Sequence, residues 1–225
     1  MKHIFVPLGL LLASCLLPAQ DLSAFGNGEG VTGEVLALVA QKDGQIVLGG
    51  SFTAVNGVPR QNLARLNADG TLDAGFISQA AEGPNGPVAA LLLLPDGSVI
   101  AGGNFTTAGN LVRGDLVKFK PDGTADAEFG AMEGGVATNG SVSALALQPD
   151  GSIIVGGSFT TFYGQPRRGV ARLNVDGTVA KAGKESETLN GRVRALGTGL
   201  EGAVFAGGDF SSPGQLARGI LRLSH

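Results

Sequence analysis

One short run recurs along this chain at nearly constant intervals. Val35, Val88, Val142 and Val193 open the stretches VLAL, VAAL, VSAL and VRAL, spaced by 53, 54 and 51 residues. Eight residues after each Val stands a turn pair, Asp43-Gly44, Asp96-Gly97, Asp150-Gly151 or Glu201-Gly202. Fourteen residues after it comes a double glycine, Gly49-Gly50, Gly102-Gly103, Gly156-Gly157 or Gly207-Gly208, with Phe52, Phe105, Phe159 and Phe210 following in register. A unit of this size cannot bury both its faces alone, so the copies must stack on one another. A phosphate-cradling turn needs a helix N-terminus or a P-loop Lys directly behind its glycines. Here only SFT, NFT or DFS follows, so the glycine pair reads as structural.

Each unit continues through a Gly-containing loop and an Arg into a strand-like run, at 62–67, 115–120, 169–174 and 219–224. Asp69-Gly70, Asp122-Gly123 and Asp176-Gly177 then supply tight turns, and TLDAGF (71–76) or TADAEF (124–129) forms a last short segment. With 38 Gly and 10 Pro among 225 residues, turns are frequent throughout. The expected fold class is all-β: a β-propeller of four roughly 53-residue blades, each of four antiparallel strands, a to d. The units run 33–86, 87–140, 141–191 and 192–225, with 21–32 completing the last. The fourth unit breaks off after its third strand, while Asp21–Phe25 resembles Leu72–Phe76, so the N-terminal strand is expected to close the ring and remove its open edges.

Residues 1–20, MKHIFVPLGLLLASCLLPAQ, have one Lys, an uncharged apolar stretch and small residues near their end, the pattern of a secretory signal peptide. Leu12-Ala13-Ser14-Cys15 resembles a bacterial lipobox in which Cys15 is acylated; cleavage near Ala19, discarding Cys15, is the other reading. The protein is therefore expected in the periplasm, at the outer membrane or outside the cell, with Cys15 its one route to a lipid anchor. Cys15 is the only cysteine, which excludes a disulfide within the chain. Without Lys2, 15 basic residues face 19 acidic ones, which argues against nucleic acid as a partner.

The stretch Leu145–Thr178, LALQPDGSIIVGGSFTTFYGQPRRGVARLNVDGT, resembles the delta-60 repeat, a β-propeller repeat of exported bacterial proteins, and is similar in order to kelch blades. The resemblance implies fold and export rather than chemistry. The third unit departs from it, since TVAKAGKESETLNG lacks the Asp and Phe of strand d.

Residues bearing chemistry are few. The run Asn67–Asp73, NADGTLD, places oxygens at alternate positions as part of a calcium loop would, but its counterparts KPDGTAD and NVDGTVA lose ligands, so a plain turn is expected. Beyond residue 20 the only His is His225, and no Cys nucleophile remains for it to activate. No cofactor is expected. Glu34, Glu82 and Glu133 leave paired-carboxylate chemistry as an alternative, an envelope hydrolase or lyase. The b–c and d–a connections share one face and vary between units, the usual setting of function on a rigid scaffold. Candidate ligand contacts there are Phe162, Tyr163, Arg167 and Arg168, with Arg60, Arg113 and, after a one-residue deletion, Arg218 at matching points. The repeated Arg reads either as a blade-to-blade pairing residue or as an anion-accepting ring; Phe162 and Tyr163 read either as contacts or as aromatics packed on their own blade.

These features point to a non-enzymatic binding or scaffold module for a protein or glycan, acting as a monomer or a ring-completing dimer. A structural or degenerate repeat array is the third reading. If Asp21–Phe25 completes the last blade, its deletion lowers the unfolding midpoint; an unchanged midpoint excludes that closure.

Overall fold

The structure, a computed structural model, describes residues 28–77, 83–130, 135, 137–181, 189–211 and 218–223. The expected signal segment 1–20 with Cys15, the expected closing strand Asp21–Phe25, Glu82, Glu133 and His225 lie outside these residues.

The first unit comprises β1 (Val31–Ala40), β2 (Ile46–Val55), β3 (Val58–Pro59) and β4 (Leu63–Leu66). The second comprises β5 (Val88–Leu93), β6 (Val99–Gly103), β7 (Thr107–Ala108), β8 (Leu111–Val112) and β9 (Leu116–Phe119). The third comprises β10 (Val142–Leu147), β11 (Ile153–Gly157), β12 (Thr161–Phe162), β13 (Gln165–Pro166) and β14 (Val170–Leu173). The fourth comprises β15 (Asn190–Thr198), β16 (Val204–Ser211) and β17 (Arg218–Leu223). In every unit the a, b and c strands form an antiparallel sheet in chain order: β1-β2-β4, β5-β6-β9, β10-β11-β14 and β15-β16-β17.

Strand d is shorter than the sequence suggests. It survives as single bridges, Leu66↔Leu72, Phe119↔Ala125 and Leu173↔Val179. Asp73 and Asp126 explain the brevity in the first two units. Each donates its N–H to strand c, to Arg65 O and Lys118 O. Each then accepts on its side chain from the N–H two residues on, Gly75 at 2.9 Å and Glu128 at 3.1 Å. That local turn takes the backbone out of the ladder. The chain thereby delivers Phe76 and Phe129 into the crevice toward the following unit, with Arg65 lying 4.4 Å from the Phe76 ring centroid.

Both glycines of each pair have distinct tasks. A β-bulge interrupts strand a after Val35, Val88, Val142 and Val193. The carbonyl just before each of these Val residues presses on the second glycine: Glu34 O on Gly50, Pro87 O on Gly103, Ser141 O on Gly157 and Arg192 O on Gly208. The first glycine faces the next unit. A Cβ on Gly49 would lie 2.6 Å from Val88 Cγ1, and one on Gly156 would lie 2.7 Å from Val193 Cγ1; Gly102 meets Val142 in the same way. Glycine is required because backbone and neighbouring side chain approach closer than any Cβ permits.

These knobs sit at the centres of three apolar clusters that each bridge two units. One joins Val47, Leu63 and Phe76 to Val88, Val99, Val117 and Phe119. The others repeat the pattern between the second and third units and between the third and fourth. The inner strands pack in the series β1, β5, β10, β15. Among the described residues no extended packing of β15 on β1 closes that series, and β1 leaves Val35, Leu36 and Leu38 exposed. The described strands thus form four antiparallel sheets stacked in chain order, and the ring closure expected through Asp21–Phe25 falls on residues outside the described ones.

Gly102→Ala should lower stability by about 1–3 kcal/mol in denaturant unfolding, because its methyl group must displace buried Val142. Gly207→Ala, whose only described neighbour within 4 Å is the Gly219 carbonyl at 3.8 Å, should stay within about 1 kcal/mol of the parent.

Candidate functional site

The b–c connections are themselves ordered hairpins. Thr107 and Ala108 pair with Val112 and Leu111, Thr161 and Phe162 pair with Pro166 and Gln165, and Ala54 and Val55 pair with Pro59 and Val58. The segments entering strand a lock onto them through the bridges Pro84↔Ala108 and Thr138↔Phe162. An Asn clamps each junction. The Asn85 side-chain oxygen accepts from the N–H groups of Thr106 and Thr107 at 2.8 and 3.1 Å, and its amide donates to Thr106 Oγ1 at 2.9 Å. Asn139 does the same for Thr160 and Thr161. The two variable loop sets that the topology assigns to one face are therefore tied to each other there.

Phe162 is fully buried, edge-on to Phe159 at 5.3 Å and to Tyr163 at 5.0 Å. Its hairpin counterparts Val55 and Ala108 are also buried, so the position is a core position in every described hairpin, and Phe162 supports the face without presenting a ring to it. Tyr163 holds a left-handed backbone, with φ of 44°, and is half-buried. Its hydroxyl lies against Gly130, across the boundary with the preceding blade. Burial pushes the phenol above its ordinary value, and the nearby Arg113 guanidinium partly offsets this.

The repeated Arg is a tie within the blade. Arg167 is buried and donates to Pro166 O at 2.8 Å and Ala180 O at 3.3 Å, joining the hairpin to the d segment of the same unit. Arg113 reaches Ala127 O at 2.6 Å in the same manner, and the buried Arg60 donates to Pro59 O at 2.8 Å. The described bonds of these guanidiniums go to carbonyls of their own unit, and Arg113 also lies near Tyr163 of the next blade. Arg218 is not their equivalent in strand register. Ile220 pairs with Gly207 as Leu63 pairs with Gly49, which sets Arg218 at the position of Arg168, followed by positive-φ Gly219 as Arg168 is by Gly169. Of the candidate contacts, Arg168 is exposed, Arg113 and Tyr163 are half-buried, and the exposed hairpin edges add Val58, Pro59, Val112 and Pro166.

The Asp-Gly turns engage their own carboxylates. Asp69 accepts from Thr71 N at 2.9 Å and Thr71 Oγ1 at 2.6 Å, and Asp176 does likewise from Thr178. The Thr hydroxyl and N–H hold each carboxyl below its usual range. Asp73 is taken by Arg65 at 2.7 Å. The oxygens that resembled part of a calcium loop thus serve the turn.

Asn62 and Asp115 escaped the sequence reading. Asn62 accepts from Phe52 N at 3.2 Å and donates to Pro84 O at 2.9 Å, stapling its blade to the entry of the next. Asp115 occupies the same place, accepting from Thr138 Oγ1 at 2.8 Å. The signal was present in the aligned repeats: Asn62, Asp115, Gly169 and Gly219 all take positive φ, a conformation that selects Asn, Asp or Gly. Burial pushes the Asp115 carboxyl above its usual value, with the bonds from Thr138 and the Phe105 N–H offsetting part of the rise.

A fold of stacked antiparallel blades with glycine-mediated joints defines a β-propeller repeat protein. Residues 41–76, 94–129 and 148–179 match the family model described as a domain of unknown function, DUF5122, beta-propeller. No curated protein matches. Among solved structures, the WD40 β-propeller domain of Doa1 is similar at 14% identity and a TM-score of 0.51, covering 84% of this chain and 50% of that one. The extracellular domain of BT4673 from B. thetaiotaomicron is similar at 18% identity and a TM-score of 0.47, covering 83% of this chain and 21% of that one. PorZ, a surface component of the type-IX secretion system of Porphyromonas gingivalis, is similar at 14% identity and a TM-score of 0.49, covering 86% and 29%. The chain thus spans half or less of these proteins' own length.

A carboxyl whose value is raised on folding contributes most below its unfolded value, near 4, and loses that contribution as pH rises through the folded value. Asp115→Asn, which copies Asn62, should therefore raise the thermal midpoint at pH 7 by roughly 2–4 °C, with the gain fading toward pH 4. Melting curves across that range check it.

Proposed function

We propose that this protein is an exported binding or scaffold module of the bacterial envelope, non-enzymatic, which holds a protein or glycan against the face built from its b–c hairpins. The observation that supports this reading is the rigid clamping of that face. Asn85 and Asn139 fix hairpins whose outer strands stay exposed, and Val112 and Arg168 project there from adjacent blades. Variable, solvent-facing positions on a fixed frame suit recognition, and a preordered face loses little entropy on binding. Export follows from the signal-like residues 1–20, and the delta-60 resemblance agrees with that compartment.

The ligand contacts are assigned to Arg168, Tyr163, Arg113 and the exposed edge residues, with Phe162, Arg60 and Arg167 acting beneath them as supports. The double variant Val112→Asp with Arg168→Glu should weaken retention of envelope material by at least about tenfold while leaving the melting temperature within a few degrees. Unchanged retention, measured by quantitative co-sedimentation with isolated cell envelopes, would place the binding face elsewhere.

A further inference from the structure

The joint between blades is present three times, and both of its halves stand open at the ends of the array. Its knob is the strand-a Val with the Leu three residues on, and its socket is the first glycine with the two side chains flanking it on strands b and c. Val88, Val142 and Val193 are wholly buried in sockets formed at Gly49, Gly102 and Gly156. On β1 the same knob positions are Val35 and Leu38, 41% and 65% exposed. On the fourth blade the socket positions are Phe205, Gly207 and Ile220. The strand register fixes this equivalence: Gly207 pairs with Ile220 as Gly49 does with Leu63, and Phe205 with Arg222 as Val47 does with Arg65. Phe205 and Ile220 are 41% and 62% exposed, whereas Val47 and Leu63 are wholly buried.

Charge follows the same register. Across the third joint, the residue before the knob Val of the fourth blade, Arg192, donates to Ser143, the residue after the knob Val of the third, at 3.0 Å. Carried to the open ends, these two positions are Glu34 on the first blade and Arg194 on the fourth. Both are exposed, and Arg194 now pairs with Asp209 at 2.5 Å on its own sheet. By register the ends are complementary in apolar character and in sign.

We infer that the occupant of each open end is a second copy of this chain: two four-blade arrays join head to tail, the socket of each fourth blade receiving Val35 and Leu38 of its partner, to close a ring of eight blades. A head-to-tail contact uses different surfaces on the two copies and ends either in a ring or in an open filament. Among the described residues β15 and β1 of one array make no extended contact, which leaves both halves of the joint for another molecule.

Sedimentation equilibrium of the purified chain should give twice the chain mass. Gly207→Leu fills the socket from a position whose Cβ meets only the Gly219 carbonyl, at 3.8 Å, and it should weaken self-association at least tenfold while leaving the circular dichroism spectrum unaltered. Glu34→Arg alone and Arg194→Glu alone should each dissociate, because their homodimers set like charges together. An equimolar mixture of the two variants restores both Arg–Glu contacts and should recover the double mass. A parent chain of single mass, or of masses beyond two copies, overturns the two-copy ring. So does a mixture that stays dissociated, as closure within one chain would require.

Discussion

The seating of a Val side chain in a glycine socket on the neighbouring blade is the constraint on which the rest of this structure depends. The sheets are narrow, three strands with a bridge of a fourth, and neither face of a sheet is large enough to form a core alone. Removing the Cβ from the first glycine lets the inner strands approach until Val88, Val142 and Val193 lose all contact with water. The second glycine makes the knob possible, since it accepts the carbonyl that the bulge pushes outward. The bulge, the glycine pair and the apolar run are therefore one device, which is why they recur together.

That device also explains the placement of polar groups. Asn62 and Asp115 act where one blade passes to the next, and Gln148 reaches Gly202 O at 2.9 Å across the third joint. Pairing of buried polar atoms across the joint offsets their loss of water. The outer aromatics add a second seam. Phe76 packs beneath Gly123 and Phe129 beneath Gly177, so the turn glycine of each following blade is shaped by the ring before it.

Much of this was legible in the amino-acid sequence because repetition converts one chain into four aligned observations. The strands a to c, their turns and the double glycine could all be read from intervals alone. Strand d could not, because TLDAGF alternates like a strand while Asp73 captures the Gly75 N–H and ends it after one bridge. The candidate face was legible as a location and less so as chemistry. Phe162 looked like a loop aromatic because Val55 and Ala108, its buried counterparts, are small enough to pass unnoticed in similar loops. The Arg at each hairpin gave no sign in sequence that its partner would be a carbonyl of its own blade, at Ala127 or Ala180. Such a bond depends on where strand d stops.

The direction of the joint has a consequence for how the molecule is made. Each socket is carried by the earlier blade and each knob by the later one, 37 to 40 residues downstream. A chain emerging N-terminus first, from a ribosome or through a translocation channel, thus completes each blade only when the next inner strand arrives. Folding can follow synthesis one repeat behind, with short sequence separation at every step and no long-range pairing to await among the described residues. The polypeptide is assembled as it is read.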